Sequence, residues 1–395
     1  MKTNLSINST KNDSLNVSSF GPINLVVIQP TPFCNLDCDY CYLPNRKLKE
    51  KLSLDLIEPI FKAIFTSPFV GEFVDICWHA GEPLAVPISY YKEVFKRIEI
   101  ANEKYNIKQF PIYHSIQTNG ILINQAWCDF FKEYNICVGV SIDGPDFLHN
   151  THRKTPKGLA THESVMRGIN YLQENDIYFN IIAVITQESL DYADEIFNFF
   201  WQNNINDVAF NMEEIEGINQ TSSLDKVGTE KKYYKFMKRF WELTSQTNDQ
   251  FKVREFEAIC GLICDNQRLA KTDMNHPFAI LNIDYLGNFS TFDPELLSVD
   301  IKPYGNFILG NVLTDSLESV CDSKKFKQIY QDMAKGVESC RQSCDYFGVC
   351  GGGAGSNKYW ENGSFNSTET QACRYRTKIV TDVVLEALEN SFGIN

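Results

Sequence analysis

No stretch of the chain is apolar for long enough to span a bilayer. The opening run Met-Lys-Thr-Asn-Leu-Ser-Ile-Asn-Ser-Thr lacks the apolar segment of a secretory signal. Neither membrane anchorage nor export is therefore expected. The 13 cysteines then point to a reducing, cytoplasmic setting in which thiols stay in the core or bind metal. Positive charge is also short: 37 Lys and Arg against 50 Asp and Glu leave a net charge of −13. Such a surface repels phosphate backbones and excludes a general nucleic-acid binder. The richest basic stretch, residues 231–239, interleaves aromatics and reads as the solvated face of an amphipathic helix. What the chain does have is size, 395 residues at 43% apolar, enough for a large core and two domains.

Cys34, Cys38 and Cys41 fall within eight residues, Cys-Asn-Leu-Asp-Cys-Asp-Tyr-Cys. Three thiols cannot all pair as disulfides, and the loop is too short for a framework. They suit a metal centre that keeps one position open. A four-iron cluster held by three cysteines leaves one iron free, as a catalytic zinc keeps a site for substrate. A zinc knuckle short of its fourth ligand is the competing reading.

From residue 23 a strand–helix alternation repeats six times. Residues 24–29, 73–79, 112–118, 137–142, 179–185 and 207–212 are short, rich in Val, Ile and Phe, and apolar on both faces, as parallel strands covered by helices are. Helical spacing follows in Val165, Ile169 and Leu172 and in Leu190, Ala193, Phe197 and Phe200. The α/β pattern with right-handed crossovers implies a partial (β/α)6 barrel. Polar, glycine-bearing motifs sit after its strands: the three-cysteine loop, then Trp78-His-Ala-Gly-Glu-Pro83, then Gln117-Thr-Asn-Gly120. Ser141-Ile-Asp-Gly-Pro145 and Asn211-Met-Glu-Glu-Ile-Glu-Gly217 follow. Chemistry gathered at the carboxyl ends of parallel strands is one site. That gathering disfavours the zinc knuckle. An unclosed six-stranded barrel also has a lateral gap and an open edge, expected to admit an extended peptide by strand addition.

A second group, Cys340, Cys344, Cys350 and Cys373, makes a complete tetrahedral set for zinc or for a fully ligated iron–sulfur cluster. Gly351 to Gly355 lack the context of a phosphate loop and read as backbone brought close to cluster sulfurs. Cys77, Cys128, Cys137 and Cys321 read as ordinary buried residues.

The CxxxCxxC spacing with Tyr40 before its last cysteine resembles the signature of radical S-adenosylmethionine (SAM) enzymes. The resemblance implies a [4Fe–4S] cluster on Cys34, Cys38 and Cys41 whose free iron binds SAM and releases a 5′-deoxyadenosyl radical. Tyr40 then counts among the cofactor-binding residues. Gly81 and Glu82 would meet the methionine amino group, and Ser141 and Arg153 its carboxylate. Gln117 would reach the ribose, and the backbone near Val184 the adenine. Ala80 replaces the first glycine of the usual Gly-Gly-Glu-Pro, a change accommodated if its φ is negative.

The second cysteine group resembles the SPASM extension of peptide-modifying radical SAM enzymes, which carries one or two auxiliary clusters. That family's pattern has cysteines where this chain has Phe292 and Ala354, and another shortly before Gly287 that is missing here. One auxiliary [4Fe–4S] cluster, on Cys340, Cys344, Cys350 and Cys373, is therefore expected, with Cys260 and Cys264 as conceivable substitute ligands for another. The segments around Cys350–Phe365, Asn288–Leu297 and Glu213–Gly217 resemble the cyclophane-forming peptide maturases of the GrrM/OscB type.

The resulting expectation is a flexible tail (1–22), a radical SAM barrel (23–220), a helical connector (221–270), a SPASM domain (271–373) and a closing helix (374–395). It would crosslink aromatic carbons to β-carbons in a ribosomally made precursor peptide, drawing electrons from a low-potential flavodoxin- or ferredoxin-type donor. Asp293 stands where sulfatase-maturating enzymes have a catalytic Asp and is the expected proton acceptor, with Glu213 a weaker candidate. Anaerobic sulfatase maturation, thioether formation and a non-catalytic iron–sulfur electron carrier are the alternatives.

Overall fold

A computed structural model describes residues 17–297 and 299–393. Six strands run parallel in sequence order: β1 (Ile23–Ile28), β2 (Val70–Trp78), β3 (Ile112–Thr118), β4 (Ile136–Ser141), β5 (Phe179–Ile185) and β6 (Asp207–Met212). Helices Ile57–Phe65, Ile88–Tyr105, Gln125–Glu133, His162–Glu174 and Ala193–Gln202 form the crossovers. The pleat explains the sorting of side chains. On β2, Ile76 and Trp78 are fully buried against the helices, Trp78 edge-on to Tyr91 with centroids 5.6 Å apart. The alternate residues, Cys77, Gln117 and Ser141 among them, face the barrel interior and are half-buried.

The extension continues this sheet. β7 (Lys252–Val253) pairs parallel with the start of β6, and β8 (Ile280–Ile283) pairs parallel with β1. β9 (Asn288–Thr291) returns antiparallel on β8 through a turn in which Asp284 Oδ1 accepts from the Leu286 and Asn288 amides, at 2.8 and 2.9 Å. After a two-stranded ribbon of β10 (Asp300–Ile301) and β11 (Gly305–Asn306), β12 (Gly310–Asn311) pairs with β9. Among the described residues the sheet order is β12-β9-β8-β1-β2-β3-β4-β5-β6-β7. The barrel is open, as expected, but its β1 edge is not available for strand addition. Ile280–Ile283, buried at every position, already occupies it. On β6 the Phe210 amide donates to buried Glu255 at 2.9 Å, satisfying another edge group.

The end of the expected flexible tail is packed. Residues 1–16 lie outside the described residues, but Phe20 is only 7% exposed and packs edge-on to Phe326 and Tyr330, at 5.7 and 5.2 Å. The apolar ring overrides the polar run around it. The connector is helical, with Thr229–Thr244 burying Tyr233, Phe236, Met237 and Phe240. Its cations point outward into ion pairs, Lys232 with Asp191, Lys238 with Glu386 and Arg239 with Asp194. Helix Val380–Phe392 packs across both connector helices. Among the described residues no helix is long and apolar enough to cross a membrane.

Cys128 and Cys321 are buried as expected, but Cys77 is half-buried and Cys137 exposed. Cys137 pairs in register with Ser115 on the inward face, whereas Ile136 and Val138 take the helix-covered side. An unclosed barrel leaves that inward face uncovered at its lower end.

Candidate active site

The loop after β1 carries the first three cysteines and is fixed by its backbone. The Cys34 amide donates to the Arg46 carbonyl, Arg46 Nη1 donates to the Cys38 carbonyl at 3.1 Å, and Arg46 pairs with Asp37 at 3.0 Å. Leu36 N donates to Cys34 Sγ at 3.4 Å. Burial pushes Cys34 up to about 12 and Cys38 up to about 11. The unliganded loop thus keeps those protons, and metal binding must release them.

The turn after β2 presses on this loop. Glu82 N donates to the Phe33 carbonyl at 2.7 Å. A Cβ at Gly81, whose φ is +81°, would stand 2.2 Å from the Thr31 carbonyl oxygen, so only glycine fits. The expectation for Ala80 is overturned: its φ is +68°, in the left-handed region. The methyl group is carried at a conformational cost, because the tight approach of the next two residues dictates the turn.

Glu82 is fully buried and its carboxylate is already occupied. Oε1 accepts from the Leu84 amide and the Thr118 hydroxyl at 2.9 and 2.7 Å, and Oε2 from the Asn119 amide at 2.9 Å. Burial still pushes it up to about 7. The side chain ties the second and third strand-end motifs together, and the Glu82 backbone is spent as well, its amide on Phe33 and its carbonyl on the Ala85 amide. Gln117 Nε2 donates to Ser141 Oγ at 3.1 Å, so those two expected residues are neighbours.

Asp143, quoted in its motif but given no role by the sequence, is the centre of the next group. Its carboxylate accepts from Arg153 Nε and Nη2, both at 3.0 Å, from Tyr40 Oη at 2.5 Å and from the Val184 amide at 2.9 Å. Burial alone would raise its pKa, but the Arg153 guanidinium holds it below the usual carboxylate range. The Arg153 fork assigned to a ligand carboxylate is thus closed on Asp143, and the Val184 amide is spent there too. Buried His149, kept neutral by desolvation with its pKa down at about 3, accepts from Asp143 N at 3.4 Å. The signal for this group was Asp-Gly-Pro after a strand, with an Arg ten residues on.

A third group of side chains lies between the barrel and the extension. Ile218 N donates to the Tyr42 carbonyl at 3.3 Å, setting the β6 loop against the residue after Cys41. From that loop Glu216 Oε1 accepts from Ser356 Oγ at 2.6 Å and Asn357 Nδ2 at 2.9 Å. The Ser356 amide donates to Asp293 Oδ2 at 2.8 Å. Asp293 is 0% exposed and its Oδ1 has no hydrogen-bond partner. Burial first, then neighbouring Glu295 and Glu214, push its pKa well up; Glu295 itself is pushed up to about 7. Arg376 is the buried cation facing Glu214, Glu295 and Glu216. Glu213 does not join them: its Oε2 accepts from the Ser223 amide and hydroxyl, capping a turn. Phe292, with φ at +75°, is buried and stacks on Phe326, so apolar packing stands where the extension pattern has an iron ligand.

Cys340, Cys344, Cys350 and Cys373 line one cavity of about 680 Å³, together with Asn357, Lys358 and Arg376. Gly351, Gly352 and Gly353 all have positive φ, and Asn275 Nδ2 pins the carbonyls of Gly351 and Gly353, each at 2.9 Å. The Cys373 thiol, donating to it, brings Cys350 down to about 6. Lys358 Nζ is buried there and pairs with no carboxylate. A desolvated ammonium among thiols calls for an anionic occupant, which a thiolate-held iron–sulfur core provides. Among the described residues no three His, Cys, Asp or Glu side chains stand close enough together to hold a metal ion. Cys260 and Cys264 sit on helix Arg254–Cys264, the latter exposed, and neither lines the cavity.

The model of the radical SAM superfamily matches residues 28–200, the segment holding the first cysteine group and the motifs after β2 to β4. That segment is a radical SAM domain. An uncharacterized protein, sll1766, of Synechocystis sp. (strain ATCC 27184 / PCC 6803 / Kazusa) is 61% identical over 380 residues, 96% of each chain. A cysteine-type anaerobic sulfatase-maturating enzyme of Clostridium perfringens (strain 13 / Type A) is 24% identical over 351 residues, 84% of this chain and 88% of that one. The solved structure of native anSMEcpe with bound AdoMet and Cp18Cys peptide shares the fold, with a TM-score of 0.76 at 22% identity over 94% of this chain and 99% of that one. A radical SAM domain implies a [4Fe–4S] cluster and SAM.

Proposed function

We propose that this enzyme is a peptide maturase that joins an aromatic ring carbon to a β-carbon within a ribosomally made precursor, forming a cyclophane. Cys34, Cys38 and Cys41 would hold the SAM-binding cluster, and Cys340, Cys344, Cys350 and Cys373 one auxiliary cluster. When bound, these groups supply a hydrogen-abstracting 5′-deoxyadenosyl radical and a one-electron acceptor.

The protein's own part is orientation, exclusion of water and the handling of one proton. Tyr40, Ser141, Gln117 and the backbone of Gly81, Glu82 and Val184 would shape the SAM cradle. The Arg153–Asp143 pair keeps its walls in register. Rearomatisation of a crosslinked ring releases a proton, and Asp293 Oδ1 is the free buried oxygen placed to take it. The Ser356 amide holds Asp293, and Glu216 of the barrel accepts from the Ser356 hydroxyl.

The observation that carries this reading is the position of Asp293. Hydrogen bonds run from Asp293 through Ser356 to Glu216, on the loop that meets Tyr42 just after Cys41, and Asn357, next to Ser356, lines the four-cysteine cavity. Phe292 and Ala354 stand where the SPASM pattern has further cysteines, which supports one auxiliary cluster. An external low-potential flavodoxin- or ferredoxin-type protein would deliver the initiating electron.

Co-expression with the small open reading frame beside the gene, followed by mass spectrometry, tests it. Loss of two hydrogens per crosslink, mapped to an aromatic residue and its partner, is expected. An unchanged peptide mass while SAM is consumed would overturn crosslinking. Formylglycine from a Cys or Ser residue would establish sulfatase maturation instead.

A further inference from the structure

Four cationic side chains line the four-cysteine cavity: Lys271, Lys358, Arg376 and Lys378. Three have partners. Lys271 Nζ lies 2.6 Å from His276 Nε2, Lys378 pairs with Glu369, and Arg376 faces the Glu214, Glu295 and Glu216 carboxylates. Lys358 differs, being 4% exposed with an Nζ that pairs with no carboxylate and faces the Cys340 thiol. Its place is built. It projects from helix Gly355–Asn362, one turn past Ala354, and its Nζ lies beside Gly336, where a Cβ would stand 3.2 Å away. The same Gly336 position would put that Cβ 2.1 Å from the Phe365 carbonyl oxygen, so the backbone is packed tightly around the lysine's end.

A buried ammonium with no counter-ion is costly unless an anion arrives. A [4Fe–4S] core held by four thiolates is net negative, and gains a further negative charge when it accepts an electron. A fixed cation beside it therefore stabilises the reduced form more than the oxidised one.

We propose that Lys358 is a positioning residue for the auxiliary cluster, raising its reduction potential so that it serves as the electron acceptor of the reaction. The inference rests on the assignment of Cys340, Cys344, Cys350 and Cys373 as cluster ligands.

The test is an EPR-monitored reductive titration of the anaerobically reconstituted full-length protein, with SAM present to separate the signals of the two clusters. Iron and sulfide are counted on the same samples. Lys358→Met and Lys358→Gln are expected to keep the cluster and to lower its reduction equilibrium at least tenfold, about 59 mV for one electron. Lys358→Arg, which keeps the charge, is expected to stay within threefold of the parent. An unchanged midpoint in either uncharged variant would overturn the proposal. A shift in Lys358→Arg as large as in Lys358→Met would also do so, by showing that packing rather than charge is responsible. Loss of auxiliary iron in both uncharged variants but not in Lys358→Arg would support it, whereas loss in all three would sink it. Iron for a single cluster in the parent protein would instead refute the ligand assignment beneath it.

Discussion

The Arg153 guanidinium closes on the Asp143 carboxylate through two parallel hydrogen bonds, Nε to Oδ2 and Nη2 to Oδ1, both 3.0 Å and both buried. Removing one partner strands the other charge without water. Asp143→Asn should destabilise the protein by about 3–5 kcal/mol. The double variant Asp143→Asn/Arg153→Met should be less destabilised than the two single changes summed. Urea denaturation of the three variants measures the coupling. Because the folded Asp143 pKa lies below its unfolded value, its stabilisation is present above about pH 4 and is lost as pH falls through the lower, folded value.

Ala80 carries a left-handed backbone at φ +68°. Ala80→Gly should stabilise the protein by about 1 kcal/mol by relieving it. Gly81→Ala should do the opposite and more, since its Cβ would meet the Thr31 carbonyl at 2.2 Å. Iron analysis of Gly81→Ala should show loss of the first cluster with the second retained.

The buried carboxylates give the apoprotein a distinctive pH profile. Glu82 and Glu295 are pushed up to about 7, so the folded state holds protons that the unfolded chain releases above about pH 4.3. Their contribution makes stability fall as pH rises between those limits and level off above about 7. Glu82→Gln should flatten that slope, as read from urea midpoints across the range.

Asp293→Asn keeps the shape of a group that makes one hydrogen bond, from Ser356, so folding and both clusters should be retained. Product formation should drop by about 10²–10⁴-fold, while deoxyadenosine release continues uncoupled. Full crosslinking activity in this variant would remove Asp293 as the proton acceptor.

Cys350→Ala should abolish the auxiliary cluster, whereas Cys260→Ala/Cys264→Ala should leave iron and sulfide counts unchanged, because neither thiol reaches the cavity. The assay is metal and sulfide analysis after anaerobic reconstitution.

The barrel was legible because its strands are short segments carrying Ile, Val and Phe between turn residues, and the limits of β3, β5 and β6 coincide with the sequence reading. The four later cysteines line one cavity, which their spacing had grouped. Ile280–Ile283 was not, since a four-residue apolar run does not announce which edge it will join. The Asp143 hub escaped because a carboxylate's partners come from distant elements, here Tyr40, Arg153 and the Val184 amide. Ala80 misled for a local reason: its φ is set by the carbonyls that crowd Gly81, which no residue preference reveals.

β8 lies directly against β1 and shares its ladder from Leu25 to Ile28. The extension therefore shares the barrel's own hydrogen-bonded lattice and is not joined to it by a hinge. A barrel cut free of its extension would expose a raw, aggregation-prone flank.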